Sequence, residues 1–127
     1  MKIGEASKYS GLPAKTIRYY ESVGLILPNR DDEDNRNFSE TDIHKLIFLF
    51  RARSLGFTIR DCRTLLDLNE DLKGPSSDVK MISEAHLIQI EGTIVKLDKI
   101  RASLRVLIDS CQENSRQKCP ILKELTG

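Results

Sequence analysis

Cys111 and Cys119 are the residues of this sequence best suited to do chemistry. Seven residues separate them, they close a long helical pattern, and Pro120 follows the second at once. Proline suits the first position of a helix, because its missing N–H would have no partner there and its φ is already helical. A helix opening at Pro120 leaves Cys119 beside unpaired backbone N–H groups and the positive end of a helix dipole, and both favour thiolate over thiol. A thiolate in that position is an ion ligand or a redox group. Two buried, inert cysteines are the bland reading, common for this residue type. Because C-x7-C is no standard zinc-finger spacing, the pair alone leaves all three readings open.

The third cysteine, Cys62, falls on the apolar stripe of a helical segment and is assigned to the core. His44 and His86 read as exposed helical residues with no partner at ligand spacing. The sequence has no Gly-rich phosphate loop, His-Glu-x-x-His motif or nucleophile elbow, and an enzyme is not expected.

The helix before the thiols must position them. From about Ser77 to Cys111 there is no proline and a single glycine, Gly92, which predicts one helix of about 33 residues, roughly 50 Å long. Its seam runs Leu87, Ile90, Ile94, Leu97, Arg101, Leu104, Ile108, Cys111, spaced alternately by three and four. That is a heptad period interrupted only by Arg101, and it predicts pairing with a second copy as a coiled coil. The seam ends at Cys111, which couples the thiol pair to the dimer contact.

Upstream, short helices are expected. Ile3, Ala6 and Ser7 followed by Gly11 predict a first helix of about two turns. Pro13 opens a second over Ala14 to Val23, with Ile17, Tyr20 and Val23 near one face, Lys15, Arg18, Tyr19 and Ser22 nearer the other, and Gly24 as the stop. Two short helices joined by a Gly-containing turn form a helix-turn-helix, whose second helix can lie in the DNA major groove. Pro28 to Phe38, rich in Asp and Asn, reads as a loop or small hairpin beside it, a wing able to place Arg30 and Arg36 on phosphates while its acidic centre points away. Ser39 and Thr58 read as N-caps of two further amphipathic helices, ending at Gly56 and by Gly74-Pro75.

Length and charge set the bounds. With 127 residues the chain makes one or two small domains, and 20 Lys and Arg against 19 Asp and Glu leave a net charge of +1. The distribution is uneven. Lys2, Lys8, Lys15, Arg18 and Arg30 face only Glu5 and Glu21 in the first thirty residues, whereas Asp31 to Asp34 is acidic, so the basic part is the candidate nucleic-acid face. No apolar run approaches a membrane span and no signal peptide is evident, which predicts a cytoplasmic protein with reduced thiols.

These residues together resemble the MerR family of bacterial transcription regulators over essentially the whole chain. The resemblance rests on Ile3 to Tyr9, on Gly11-Leu12-Pro13-Ala14-Lys15-Thr16-Ile17-Arg18-Tyr19-Tyr20-Glu21 with Gly24-Leu25-Ile26, and on Arg51-Ala52-Arg53-Ser54-Leu55-Gly56-Phe57. Cys111 and Cys119 followed by Pro120-Ile121, with Ser76-Ser77-Asp78-Val79-Lys80, resemble the copper-responsive (CueR/HmrR-like) branch. The fold implied is mainly α: a winged helix-turn-helix DNA-binding domain over residues 1–75, a dimerisation helix over 76–111 forming an antiparallel coiled coil in the dimer, and a metal-binding loop with a short helix over 112–127.

The resemblance also implies roles. Lys15, Thr16, Arg18, Tyr19 and Tyr20 become DNA-binding residues of the recognition helix, with Arg30, Arg36 and Arg53 near the DNA backbone. Cys111 and Cys119 become the metal ligands. Ser76 stands where zinc-, cadmium-, lead- and mercury-sensing relatives carry a cysteine supplied by the partner subunit. Two thiolates without a third soft ligand suit Cu(I), Ag(I) or Au(I), whereas Zn²⁺ usually takes four ligands. The pair plus one monovalent cation keeps a net charge of −1, which the helix start at Pro120 and Lys80 would compensate, with Ser76 and Lys80 placed around the effector site.

The wing departs from the family's usual Asn-Gly-Tyr-Arg, reading Glu33-Asp34-Asn35-Arg36. The expectation is a homodimeric, copper-sensing activator that binds an inverted-repeat promoter and distorts it for RNA polymerase. The rivals are a DNA-binding regulator switched by a Cys111–Cys119 disulfide, and a coiled-coil metal buffer or adaptor that does not bind DNA.

Overall fold

The computed structural model describes residues 1–71, 74, 76–111 and 119–127. The loop expected between the two thiols, and Pro75, lie outside the described residues. Six helices and one two-stranded hairpin follow in the order α1 (Ile3–Ser10), α2 (Ala14–Ser22), β1 (Asn29–Arg30), β2 (Arg36–Asn37), α3 (Glu40–Ser54), α4 (Ile59–Glu70), α5 (Ser76–Asp109) and α6 (Pro120–Thr126). The fold is mainly α, as expected from the helical periodicity and the resemblance.

The first compact unit runs Met1–Ile82. Its core is built from one face of each helix: Ala6 from α1, Ile17 and Tyr20 from α2, Leu46 and Leu49 from α3, Cys62, Leu65 and Leu66 from α4, closed by Ile26 and Phe38 from the segments flanking the hairpin. α1 packs on α2 and α3, and α3 on α4. Ile82, in the second turn of α5, packs against this core, so the unit extends past the expected boundary at residue 75 into the start of the long helix.

Local chemistry sets the ends. Gly11 and Gly24 take φ of 80° and 78° after α1 and α2, a left-handed conformation that costs glycine little and an L-side chain much more. α3 opens on a complete capping box, in which the Asp42 N–H donates to Ser39 Oγ at 3.1 Å and the Ser39 N–H donates to Asp42 Oδ2 at 2.9 Å. In α4 the Asp61 N–H donates to Thr58 Oγ1 at 3.0 Å.

The wing is a tight hairpin. Arg30 stands opposite Arg36 and Asn29 opposite Asn37. Asp34, where the family usually has glycine, takes φ 62°, and the turn is held by Asp31 Oδ1, which accepts from the N–H groups of Glu33 and Asn35 at 3.0 and 2.9 Å. Aspartate tolerates the left-handed region because its short polar side chain bonds locally, so the altered sequence still makes a turn.

The second unit, Ser83–Gly127, holds most of α5 and all of α6. No residue of α5 is buried in a single chain, and the apolar seam from Leu87 to Ile108 stays 37–58% exposed. Arg101, the break in the seam, pairs with Asp98 at 2.5 Å on the same helix. Among the described residues no helix is long and apolar enough to cross a membrane.

Removing the cap tests this account of the first unit. Ser39→Ala should lower unfolding stability by about 1 kcal/mol, read as a reduced urea midpoint at unchanged slope. An unchanged midpoint would mean that the box contributes nothing to holding α3.

Candidate metal centre and nucleic-acid interface

In the second unit, Cys111 lies just past the end of α5, and Cys119 is the N-cap of α6 with Pro120 at its first position. Their Sγ atoms are 3.4 Å apart and both residues are half-buried. That is far longer than a disulfide of about 2.05 Å and close enough for one soft ion to touch both sulfurs. The backbone N–H of Leu122, then the Cys111 thiol, then the N–H of Ile121 pull the Cys119 pKa below the usual thiol range. These are the orphan donors of the first turn of α6, and they stabilise the charged form. The donor set therefore fits a thiophilic ion. Among the described residues no group of three or more His, Cys, Asp or Glu side chains is gathered as a ligand cluster.

Cys62 is different in kind. It is fully buried, and burial pushes its thiol pKa up. Ser76 and Lys80 lie exposed on the first turns of α5, in the first unit.

In that unit, α2 presents Lys15, Arg18 and Tyr19 as exposed residues, with Thr16 half-buried beside them. Tyr20, assigned to DNA by resemblance, is only 4% exposed. It lies with Ile17 on the apolar face that the periodicity predicted, and burial raises its pKa while the Arg53 guanidinium acts on its hydroxyl. Its ring belongs to the core. Arg53 donates to the Phe57 carbonyl and so closes the α3–α4 turn. Arg30 and Arg36 both reach Glu21 near the end of α2. Arg30 Nη2 donates to Oε1 at 2.8 Å, and Arg36 Nε donates to Oε2.

The helix-turn-helix, the wing and the long terminal helix have counterparts among known proteins. The model of the MerR HTH family regulatory protein matches residues 1–69, and that described as MerR, DNA binding, matches residues 43–107. The chain belongs to the MerR family. It is similar to the HTH-type transcriptional regulator HmrR of Rhizobium leguminosarum bv. viciae, 49% identical over 126 residues that cover 99% of this chain and 98% of that protein. It is also similar to the HTH-type transcriptional regulator CueR of Salmonella typhimurium, 34% identical over 128 residues, covering 100% of this chain and 93% of that one. Among solved structures it resembles the transcription regulator PbrR691 from Ralstonia metallidurans CH34 in complex with lead(II), with a TM-score of 0.83 at 30% identity and 98% of each chain covered. As a MerR-family member the chain is a DNA-binding transcription regulator and not an enzyme.

Two MerR-family residues were not singled out by sequence. Glu21, seen there only as one of two acids in the basic stretch, receives both wing arginines. Arg63 on α4 donates to the Val23 carbonyl beyond the end of α2. The pairs are 9, 15 and 40 residues apart, so only the fold brings them together. The signal available for Glu21 was its position as an acid on the recognition helix just before two arginines.

The thiols should differ in reactivity. Iodoacetamide should alkylate Cys119 of the reduced, metal-free protein with a lower pH midpoint than it alkylates the same cysteine in the unfolded chain, since a lowered pKa keeps thiolate present to lower pH. Cys62 should react only after unfolding. Mass spectrometry of the labelled peptides reads both, and fast labelling of Cys62 in the folded protein would contradict its placement.

Proposed function

We propose that this MerR-family member is a homodimeric, metal-responsive activator that senses Cu(I), with Ag(I) or Au(I) as alternatives, through the thiolates of Cys111 and Cys119. The observation that carries the reading is the approach of the two Sγ atoms to 3.4 Å with Cys119 at the start of α6. Two thiolates favour soft monovalent ions over zinc. Relatives point the same way in class: PbrR691 is described in complex with lead(II), and the thiol segment resembles the copper-responsive branch.

When bound, Cu(I) would be held by Cys111 and Cys119 and would supply positive charge against their thiolates. The chain does the rest. The N–H groups of Leu122 and Ile121 favour the thiolate of Cys119 over its thiol, and the ligands must be deprotonated to bind a metal. Ser76 and Lys80 are assigned to the surroundings of the ion, contributed from the partner subunit. The uncovered seam of α5 supports a coiled-coil dimer, since an apolar stripe of that length needs a partner face. Two recognition helices related by the dimer axis then suit an inverted repeat. Lys15, Thr16, Arg18, Tyr19 and Tyr20 are assigned to the DNA there, and Arg30, Arg36 and Arg53 to its backbone, with Arg53 also closing the α3–α4 turn. The ion biases a two-state dimer, the change is read out as deformation of the promoter for RNA polymerase, and the setting is the cytoplasm.

Cys111→Ser and Cys119→Ser should each abolish copper-dependent transcription while leaving operator affinity largely intact, because neither thiol is among the residues assigned to DNA. Full copper response by either variant would remove the two-thiolate site. The redox alternative also draws on the sulfur approach. Under copper-free conditions it requires a reversible loss of two hydrogens at low peroxide dose, which the metal reading does not.

A further inference from the structure

Glu21 stands at the junction of the recognition helix and the wing, and its chemistry is unusual for a DNA-binding face. Phosphates repel a carboxylate, yet this one lies between α2 and the hairpin with its side chain only 17% exposed. Each of its oxygens takes one guanidinium: Oε1 takes Arg30 at 2.8 Å, and Oε2 takes Arg36. Arg30 and Arg36 are also directly opposed across the hairpin. Directly opposed residues point to the same face, and two like charges there destabilise the pairing. A hairpin of two residues per strand has no stability to spare against that repulsion.

We propose that Glu21 is the positioning residue of the wing: its carboxylate bridges the two arginines, cancels their mutual repulsion and fixes both guanidiniums relative to the recognition helix so that they meet DNA phosphates. Only one donor of each arginine is used by Glu21, and a guanidinium has five, so each retains N–H groups for a phosphate. The bridged group keeps a net charge of +1, enough to favour the DNA backbone. The carboxylate thus gives up some attraction and gains geometry. Arg30, at 43% side-chain exposure against 29% for Arg36, is the more open of the two.

The proposal rests on the assignment of Arg30 and Arg36 to the DNA backbone, and the test separates the two claims. The probe is a duplex selected from random-sequence DNA by the wild-type protein, with affinity measured against salt. Each lost phosphate contact flattens the slope of log K against log salt by about 0.9. Arg30→Ala/Arg36→Ala should therefore flatten it by about 1.8 and weaken binding roughly 10- to 30-fold at 0.15 M salt. Glu21→Ala should do most of the same although it adds net positive charge, and in the double-arginine background it should flatten the slope no further, its only effect there being relief of the unpaired carboxylate's repulsion. An unchanged slope in the double-arginine variant overturns the arginine assignment and the bridge with it. A normal slope, or tighter binding, in Glu21→Ala when the arginine variant behaves as expected overturns the bridge alone. A lowered thermal midpoint with an unaltered slope reduces Glu21 to a structural role and also overturns it.

Discussion

A helix of nine residues has no stability of its own in water, and α2 is such a helix. On the proposed reading, what this protein reads from DNA through α2 depends on other elements holding that helix at a fixed angle. Three do so. Ile17 and Tyr20 bury its inner face in the core, Glu21 ties it to the wing through two arginines, and Arg63 of α4 grips the Val23 carbonyl where the chain leaves it. Only the first of these is hydrophobic burial. The other two are charged side chains acting on the last turn and the residue after it, where the helix itself supplies no further partners. The outer face is thereby left to Lys15, Arg18 and Tyr19, with no share in keeping the helix folded.

The second unit is built on the opposite plan. α5 has helix enough, 34 residues of it, and lacks a cover. Its seam from Leu87 to Ile108 is open along its length in a single chain, so the rod stays exposed to water until another surface meets it. The thiol pair stands at the end of that rod, Cys111 after its last turn and Cys119 at the first turn of α6. A ligand that grips both sulfurs joins the ends of two helices, so on the proposed reading the ion acts where the dimer contact and the last helix meet.

Much of this was legible in the sequence, because it depended on residues close together along the chain. Gly11 and Gly24 stop helices by their freedom at positive φ, Ser39 and Thr58 start them by side-chain capping, and Pro120 opens α6 beside Cys119. Periodicity also placed Tyr20 correctly with Ile17. The resemblance counts Tyr20 among the DNA-binding residues, and in the structure its ring packs in the core. What the sequence did not disclose was the set of partners fixed only by hairpin register and helix packing. Arg30 and Arg36 were read as phosphate contacts, without the carboxylate that both of them reach. The Cys119 environment was foreseen in kind, since a helix start beside a thiol needs no tertiary information, whereas its approach to Cys111 is a contact that the spacing of the two residues does not give.

The two sulfurs at 3.4 Å also constrain how the signal is coupled to acidity. Two full thiolates that close repel each other, so the metal-free pair does not carry both charges freely even with the amides of α6 drawing Cys119 toward thiolate. A cation that replaces the shared proton relieves the repulsion and holds the sulfurs together at once. A cation of higher charge would relieve more, but with two sulfurs it would lack the further donors that zinc usually takes. The selectivity of the proposed site is therefore one of ligand number and softness more than of net attraction. Its strength as a switch depends on how differently the two states of the dimer present the pair, because a ligand bound equally well by both shifts neither.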